Sequence, residues 1–108
     1  MITDQLNAFA ADDGSKAFSF AAPLIRNSFS DAETFMRMVK NGYAPVYRNK
    51  NHVFGESFTD QLGRPAQRVT LTAVDGRRYE AIYTLEKQSN GTWKISGCFL
   101  APVPEVGA

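Results

Sequence analysis

The stretch Val69-Thr70-Leu71-Thr72-Ala73-Val74-Asp75-Gly76, followed by residues 77–88, Asn90-Gly91 and residues 92–101, decides the fold. Polar and apolar residues alternate along it, and each of its two breaks carries a glycine, the pattern of three strands joined by tight turns. Cross-strand chemistry selects the register. A two-residue turn at Asn90-Gly91 would set Lys87 against Lys94 and Glu86 against Ile95. A three-residue loop with Gly91 left-handed sets Glu86 against Lys94, Leu85 against Ile95 and Ala81 against Phe99, which is better on both faces. The same geometry at Val74-Asp75-Gly76 pairs Leu71 with Tyr79 and Val69 with Ala81.

The two turns then agree on one apolar face: Val69, Leu71, Ala73, Tyr79, Ala81, Tyr83, Leu85, Trp93, Ile95 and Phe99. The opposite face is mostly charged or hydroxylic, with Ile82, Cys98 and Leu100 as an apolar minority. A slip of one residue would invert the sorting, so the register is strongly specified.

Upstream, helical periodicity dominates. Thr3 is the expected cap of a first helix with Ile2, Leu6, Phe9 and Ala10 as its stripe. Asp12-Asp13-Gly14 ends it, Ser15 opens a short second helix, and Pro23 interrupts the pattern. Ser30-Asp31-Ala32-Glu33 reads as a capping box ahead of Ala32, Phe35, Met36 and Val39, with Gly42 closing that helix. Residues 43–48 read as extended or turn-like around Pro45, and His52 to Asp60 as another strand. The prediction is therefore an α+β domain spanning residues 1–108: N-terminal helices packed on one face of a curved antiparallel sheet of about four strands.

Composition narrows the functional classes. A formal net charge of +1, from twelve basic and eleven acidic side chains, gives no support to nucleic-acid or membrane-surface binding. No apolar run reaches the length of a membrane span. The single cysteine, Cys98, excludes an internal disulfide. The single histidine, His52, excludes a multi-histidine metal site, and no other metal-ligand spacing appears, so neither a metal nor a cofactor is expected. The chain opens without a basic and apolar leader, which makes a cytoplasmic location the default expectation.

Several segments carry a likeness. They are residues 4–9 and 11–13, Ala17-Phe18-Ser19-Phe20-Ala21-Ala22-Pro23, Phe35-Met36-Arg37-Met38-Val39, Tyr43-Ala44-Pro45-Val46-Tyr47-Arg48 and Trp93-Lys94-Ile95-Ser96-Gly97-Cys98. Together they resemble a small uncharacterised bacterial family, a domain of unknown function, within the nuclear transport factor 2-like superfamily. The resemblance implies a cystatin-like cone. It implies no single activity, because the superfamily holds isomerases, dehydratases and hydrolases beside binding and dimerisation modules. Many members of the resembling family look secreted to the periplasm, which leaves location open.

The residues suggest a pocket. Tyr43, Tyr47, Tyr79, Tyr83 and Trp93, with Phe54 and Phe58, have apolar bodies suited to a small ligand inside a cone; they are equally suited to a plain core. Glu56 lies between Phe54 and Phe58 at period two and would share their face, where a buried carboxylate could act as a base; the alternative is a solvated strand edge. His52 is a second acid–base candidate, or a solvated residue at a strand start. Three roles stay open: a small-ligand or protein-binding module, a cofactor-free enzyme using Glu56 or His52, and a structural homodimer joined through Ile82, Cys98 and Leu100.

Overall fold

The computed structural model describes residues 1–104. Five helices come first: α1 (Ile2–Ala10), α2 (Gly14–Ser19), α3 (Pro23–Ser28), α4 (Ala32–Gly42) and α5 (Ala44–Tyr47). Four strands follow, β1 (Asn51–Thr59), β2 (Pro65–Thr72), β3 (Arg78–Lys87) and β4 (Trp93–Pro102), forming one antiparallel sheet in sequence order. The α+β arrangement expected from the sequence is the one observed.

Helix ends follow local chemistry, with small shifts from expectation. α1 begins one residue before Thr3, so Thr3 lies inside the first turn and makes no cap. Asp13 caps α2 by accepting from the Lys16 N–H, and Asp31, not Ser30, caps α4 by accepting from the Thr34 N–H at 2.8 Å. Pro23 starts α3 rather than only breaking what precedes it, since its fixed φ suits a first helical position. Pro45 is the second residue of α5, also within the first turn that tolerates proline, so residues 44–47 are helical where an extended segment was expected.

The buried faces of α1 and α4 meet the sheet through Leu6, Phe9, Phe35, Met36 and Val39 against Val69, Leu71, Ala81, Tyr83 and Ile95. Phe35 is the hub, with Phe9, Phe18 and Phe29 rings centred 6.1, 5.0 and 5.6 Å away. Gln5 is buried in this layer and donates from Nε2 to the Ala17 carbonyl at 3.2 Å, tying α1 to α2.

Both hairpins have the expected register at their turns. Gly76 and Gly91 hold φ of +89° and +87°, Leu71 faces Tyr79, Val69 faces Ala81, and Glu86 faces Lys94. Further along, β4 departs. After Leu85 faces Ile95, the register shifts by one, so Thr84 faces Gly97, Tyr83 faces Cys98, and Ala81 faces Leu100 rather than Phe99. This is a β-bulge at Ser96-Gly97. Its consequence is an inversion downstream: Cys98 and Leu100 turn toward the helices and pack on the core, while Phe99 turns outward and is 66% exposed. The expected outer trio of Ile82, Cys98 and Leu100 is thus replaced by Ile82 with Phe99 opposite it.

The bulge has visible causes. Gly97 lies so close to Thr84 that a Cβ there would fall 2.8 Å from Thr84 Oγ1. Ser96 Oγ and Thr84 Oγ1 are hydrogen-bonded at 2.9 Å. On the free edge of β4, the Ile95 N–H donates to the Phe20 carbonyl and its carbonyl accepts from the Ala22 N–H, both at 2.8 Å. The segment linking α2 and α3 therefore covers this edge beside the bulge.

A second irregularity in β1, between Phe54 and Ser57, does the same to another expectation. Phe54 faces Val69, and Phe58 faces Ala66, one residue out of step. Phe58 therefore joins the outer face, where the Arg68 guanidinium lies over its ring at 4.9 Å. The Gly55 carbonyl freed by the bulge accepts from Gln67 Nε2 at 2.9 Å. Phe54, Glu56 and Phe58 do not form one inward row.

Candidate functional site: an apolar cavity under the helices

Between the helices and the β3–β4 half of the sheet lies a cavity of about 290 Å³. α1 contributes Gln5 and Phe9, the α2–α3 link and α3 contribute Ala21 and Ile25, and α4 contributes Phe35, Met38 and Val39. Phe29, Tyr43 and Val46 close the helical side, and Tyr83 with residues 95–98 forms the floor. The bulge at Ser96-Gly97 shapes this floor, because the shifted register beyond it turns Cys98 inward beside Tyr83.

Among the described residues, none of those lining it is charged. Its polar groups are few, and most are engaged. Tyr43 Oη donates to the Cys98 carbonyl at 3.2 Å, and Gln5 Nε2 is bound to Ala17. Tyr83 differs. It is 1% exposed, and its Oη is, among the described residues, the only fully buried side-chain nitrogen or oxygen without a hydrogen-bond partner. The Cys98 thiol is close enough to raise the phenol further and to be lowered by it in turn, but the pair does not reach hydrogen-bond geometry, and a thiol is a weak partner. Burial raises the Tyr83 phenol well above its ordinary value and pushes the Cys98 thiol up to about 12. Both are neutral at any physiological pH. A neutral phenol closed in so tightly that water does not touch its oxygen offers one donor to a guest for which the lining gives way, and no base.

Of the aromatic residues proposed from sequence, Tyr83 and Tyr43 line this cavity. Tyr79, Tyr47, Trp93, Phe54 and Phe58 do not. Trp93 sits at the sheet end, 43% exposed. Tyr47 belongs to a surface cluster: its hydroxyl donates to Asp12, while Arg48 and Lys40 lie over its ring at 4.4 and 5.3 Å. Arg48 also donates to Asp12 Oδ2 at 2.8 Å and to the Phe9 carbonyl at 2.7 Å. The Tyr47 hydroxyl, then Arg48 and Lys40, hold the Asp12 carboxyl below the ordinary carboxylate range, and Asp12 occupies a left-handed conformation with φ of 56°.

Glu56 is exposed on β1. His52 is half-buried in a separate polar cleft with Leu6, Asn7, Ala10 and residues 48–51. Neither acid–base candidate reaches the apolar cavity. No cluster of three or more metal-ligating side chains occurs among the described residues, and no helix among them is long and apolar enough to cross a membrane.

Sequence reading missed Gln5, Phe9, Phe35 and Cys98 as lining. The signal for Gln5 was present: it follows Ile2 by three residues and precedes Phe9 by four, which places an amide on a buried stripe. Phe9 and Phe35 were legible only as core, because periodicity distinguishes inside from outside but does not reveal an unfilled space.

The family described as a domain of unknown function, DUF4864, matches residues 1–108, and the chain belongs to it. No curated protein and no solved structure matches the chain.

Proposed function

We propose that this member of the DUF4864 family is a binding module that holds a small apolar molecule in the cavity between its helices and sheet, and that its architecture is the cystatin-like cone of the nuclear transport factor 2-like superfamily. The unpartnered Tyr83 hydroxyl carries the proposal. Leaving a buried hydroxyl unsatisfied costs about 1–3 kcal/mol, and a guest that accepts its hydrogen bond recovers that loss. The volume of about 290 Å³ is at the lower limit of small-molecule sites, and the lining has their usual composition, mainly apolar with a few polar points.

Binding is favoured over catalysis because Glu56 and His52, the acid–base candidates, both lie outside the cavity. Tyr83 and Cys98 are held neutral and offer no base. The test is a thermal-shift and NMR screen with small hydrophobic compounds. The expected result is a raised Tm with resonance changes at Phe9, Phe35 and Tyr83. No stabilisation by any compound would contradict the reading.

A second reading rests on Phe99. Its 66% exposure directly across from Ile82, with Phe58 on the same sheet face, favours pairing of two copies through that face. Size-exclusion chromatography at high concentration tests it, and a clean monomer would refute it.

A further inference from the structure

Resting on the reading of this cavity as a ligand site, we infer that its guest is an uncharged molecule, about one ring in size, with an acceptor oxygen that takes a hydrogen bond from Tyr83 Oη. Three observations converge on that class. The first is the polar inventory. Tyr43 Oη and Gln5 Nε2 already donate to backbone carbonyls, and both backbone groups of Ile95 are engaged by Phe20 and Ala22. Gln5 keeps a second N–H, but Tyr83 Oη is, among the described residues, the fully buried side-chain donor with no partner at all. An acceptor on the guest is what completes the site.

The second observation is charge. Among the described residues, no lysine, arginine, histidine or carboxylate lines the cavity. A carboxylate or ammonium guest would be stripped of water with no counter-charge, and burial of an unpaired ion is strongly unfavourable. The two ionisable groups on the sheet floor do not alter this, since burial keeps both the phenol and the thiol protonated. A cationic guest finds no anion, and an anionic guest finds one neutral donor and no cation.

The third observation is shape. Phe9, Phe29, Phe35 and Tyr43 present rings to the space, and Phe29 meets Phe35 edge-on at 77°. Walls of this kind accept a flat ring in stacked or edge-to-face contact. The volume of about 290 Å³ favours a guest smaller than a drug-sized ligand.

The test uses the full chain, isotopically labelled, titrated by NMR with acetophenone, ethylbenzene and benzoate. The three share a ring and differ in having an acceptor, no acceptor and a charge. Acetophenone is expected to bind about 2- to 12-fold tighter than ethylbenzene, the range of one net hydrogen bond, with benzoate weakest. In Tyr83→Phe the acetophenone advantage disappears while ethylbenzene affinity is retained. Benzoate equal to or tighter than acetophenone overturns the assigned class, as does an unchanged preference in Y83F, and either leaves the cavity as a ligand site. If none of the three moves the cavity resonances, the ligand-site reading itself fails. Should Y83F not fold, the ranking on the unaltered chain decides.

Discussion

Tyr83 on β3 lies directly across from Cys98 on β4, and both line the same apolar cavity. The pairing depends on the bulge at Ser96-Gly97; in an unbulged ladder Tyr83 would face Gly97 and Cys98 would point out of the sheet. One extra residue in one strand thus makes the cavity floor and moves Phe99 to the opposite face.

Removing the Tyr83 hydroxyl should help the empty protein. Tyr83→Phe deletes a buried polar atom without a partner and keeps the ring, so it is expected to stabilise by about 1 kcal/mol, a Tm gain of about 4–8 °C for a domain of this size. A thermal melt of both proteins without ligand reads this. A loss of similar size would mean that the hydroxyl is bonded in the native state.

The Cys98 thiol should resist modification. Burial pushes it up to about 12, so at pH 8 only about 1 in 10,000 molecules carries a thiolate. Labelling by iodoacetamide should be far slower in the native protein than in urea; equal rates would refute the burial argument. Stability follows with a definite sign. The native thiol is raised above its ordinary value of 9.0, so it contributes fully below about pH 9, and that contribution is lost between about pH 9 and 12. Cys98→Ala should fall less steeply over that interval in alkaline denaturation.

Gly97→Ala tests the bulge. The added methyl would fall 2.8 Å from Thr84 Oγ1, so destabilisation of about 1–3 kcal/mol is expected. Thr84→Ala in the same chain removes the clashing atom and should recover part of that loss. A double-mutant cycle in urea measures the coupling, and strict additivity would contradict the contact.

Much of this architecture was legible in the chain. The two glycine turns, the four strands and the stripe of Phe35, Met36 and Val39 follow from alternation, helical periodicity and cross-strand charge, all local. The bulges were not legible. They arise from contacts distant in sequence: Thr84 against Gly97, the Phe20–Ala22 segment on the edge of β4, and Gln67 on the Gly55 carbonyl. Because side chains alternate with period two, each unforeseen bulge misassigned what lay beyond it. Cys98 and Leu100 were expected outside and face in; Phe58 was expected inside and faces out. Tyr83 was identified because its face is set by β2, where it pairs with Gln67 in an unbroken register.

The Asp12 cluster should govern acid behaviour around α1 and α5. Its carboxyl is lowered by the Tyr47 hydroxyl and by Arg48 and Lys40, so its contribution is present above about pH 4 and lost as pH falls through the depressed native value. Asp12→Asn should lower stability at neutral pH and flatten the acid limb, since a neutral amide has no proton to gain. Acid denaturation followed by circular dichroism compares the two. Identical slopes below pH 4 would show that this carboxylate does not contribute.

A crystal structure of the protein grown with acetophenone would show directly whether Tyr83 holds a guest. Ring density is expected inside the cavity, against Phe35, with the carbonyl oxygen about 2.7–2.8 Å from Tyr83 Oη. A ring bound elsewhere, or a collapsed cavity in which Tyr83 Oη is bonded to the protein, would contradict it.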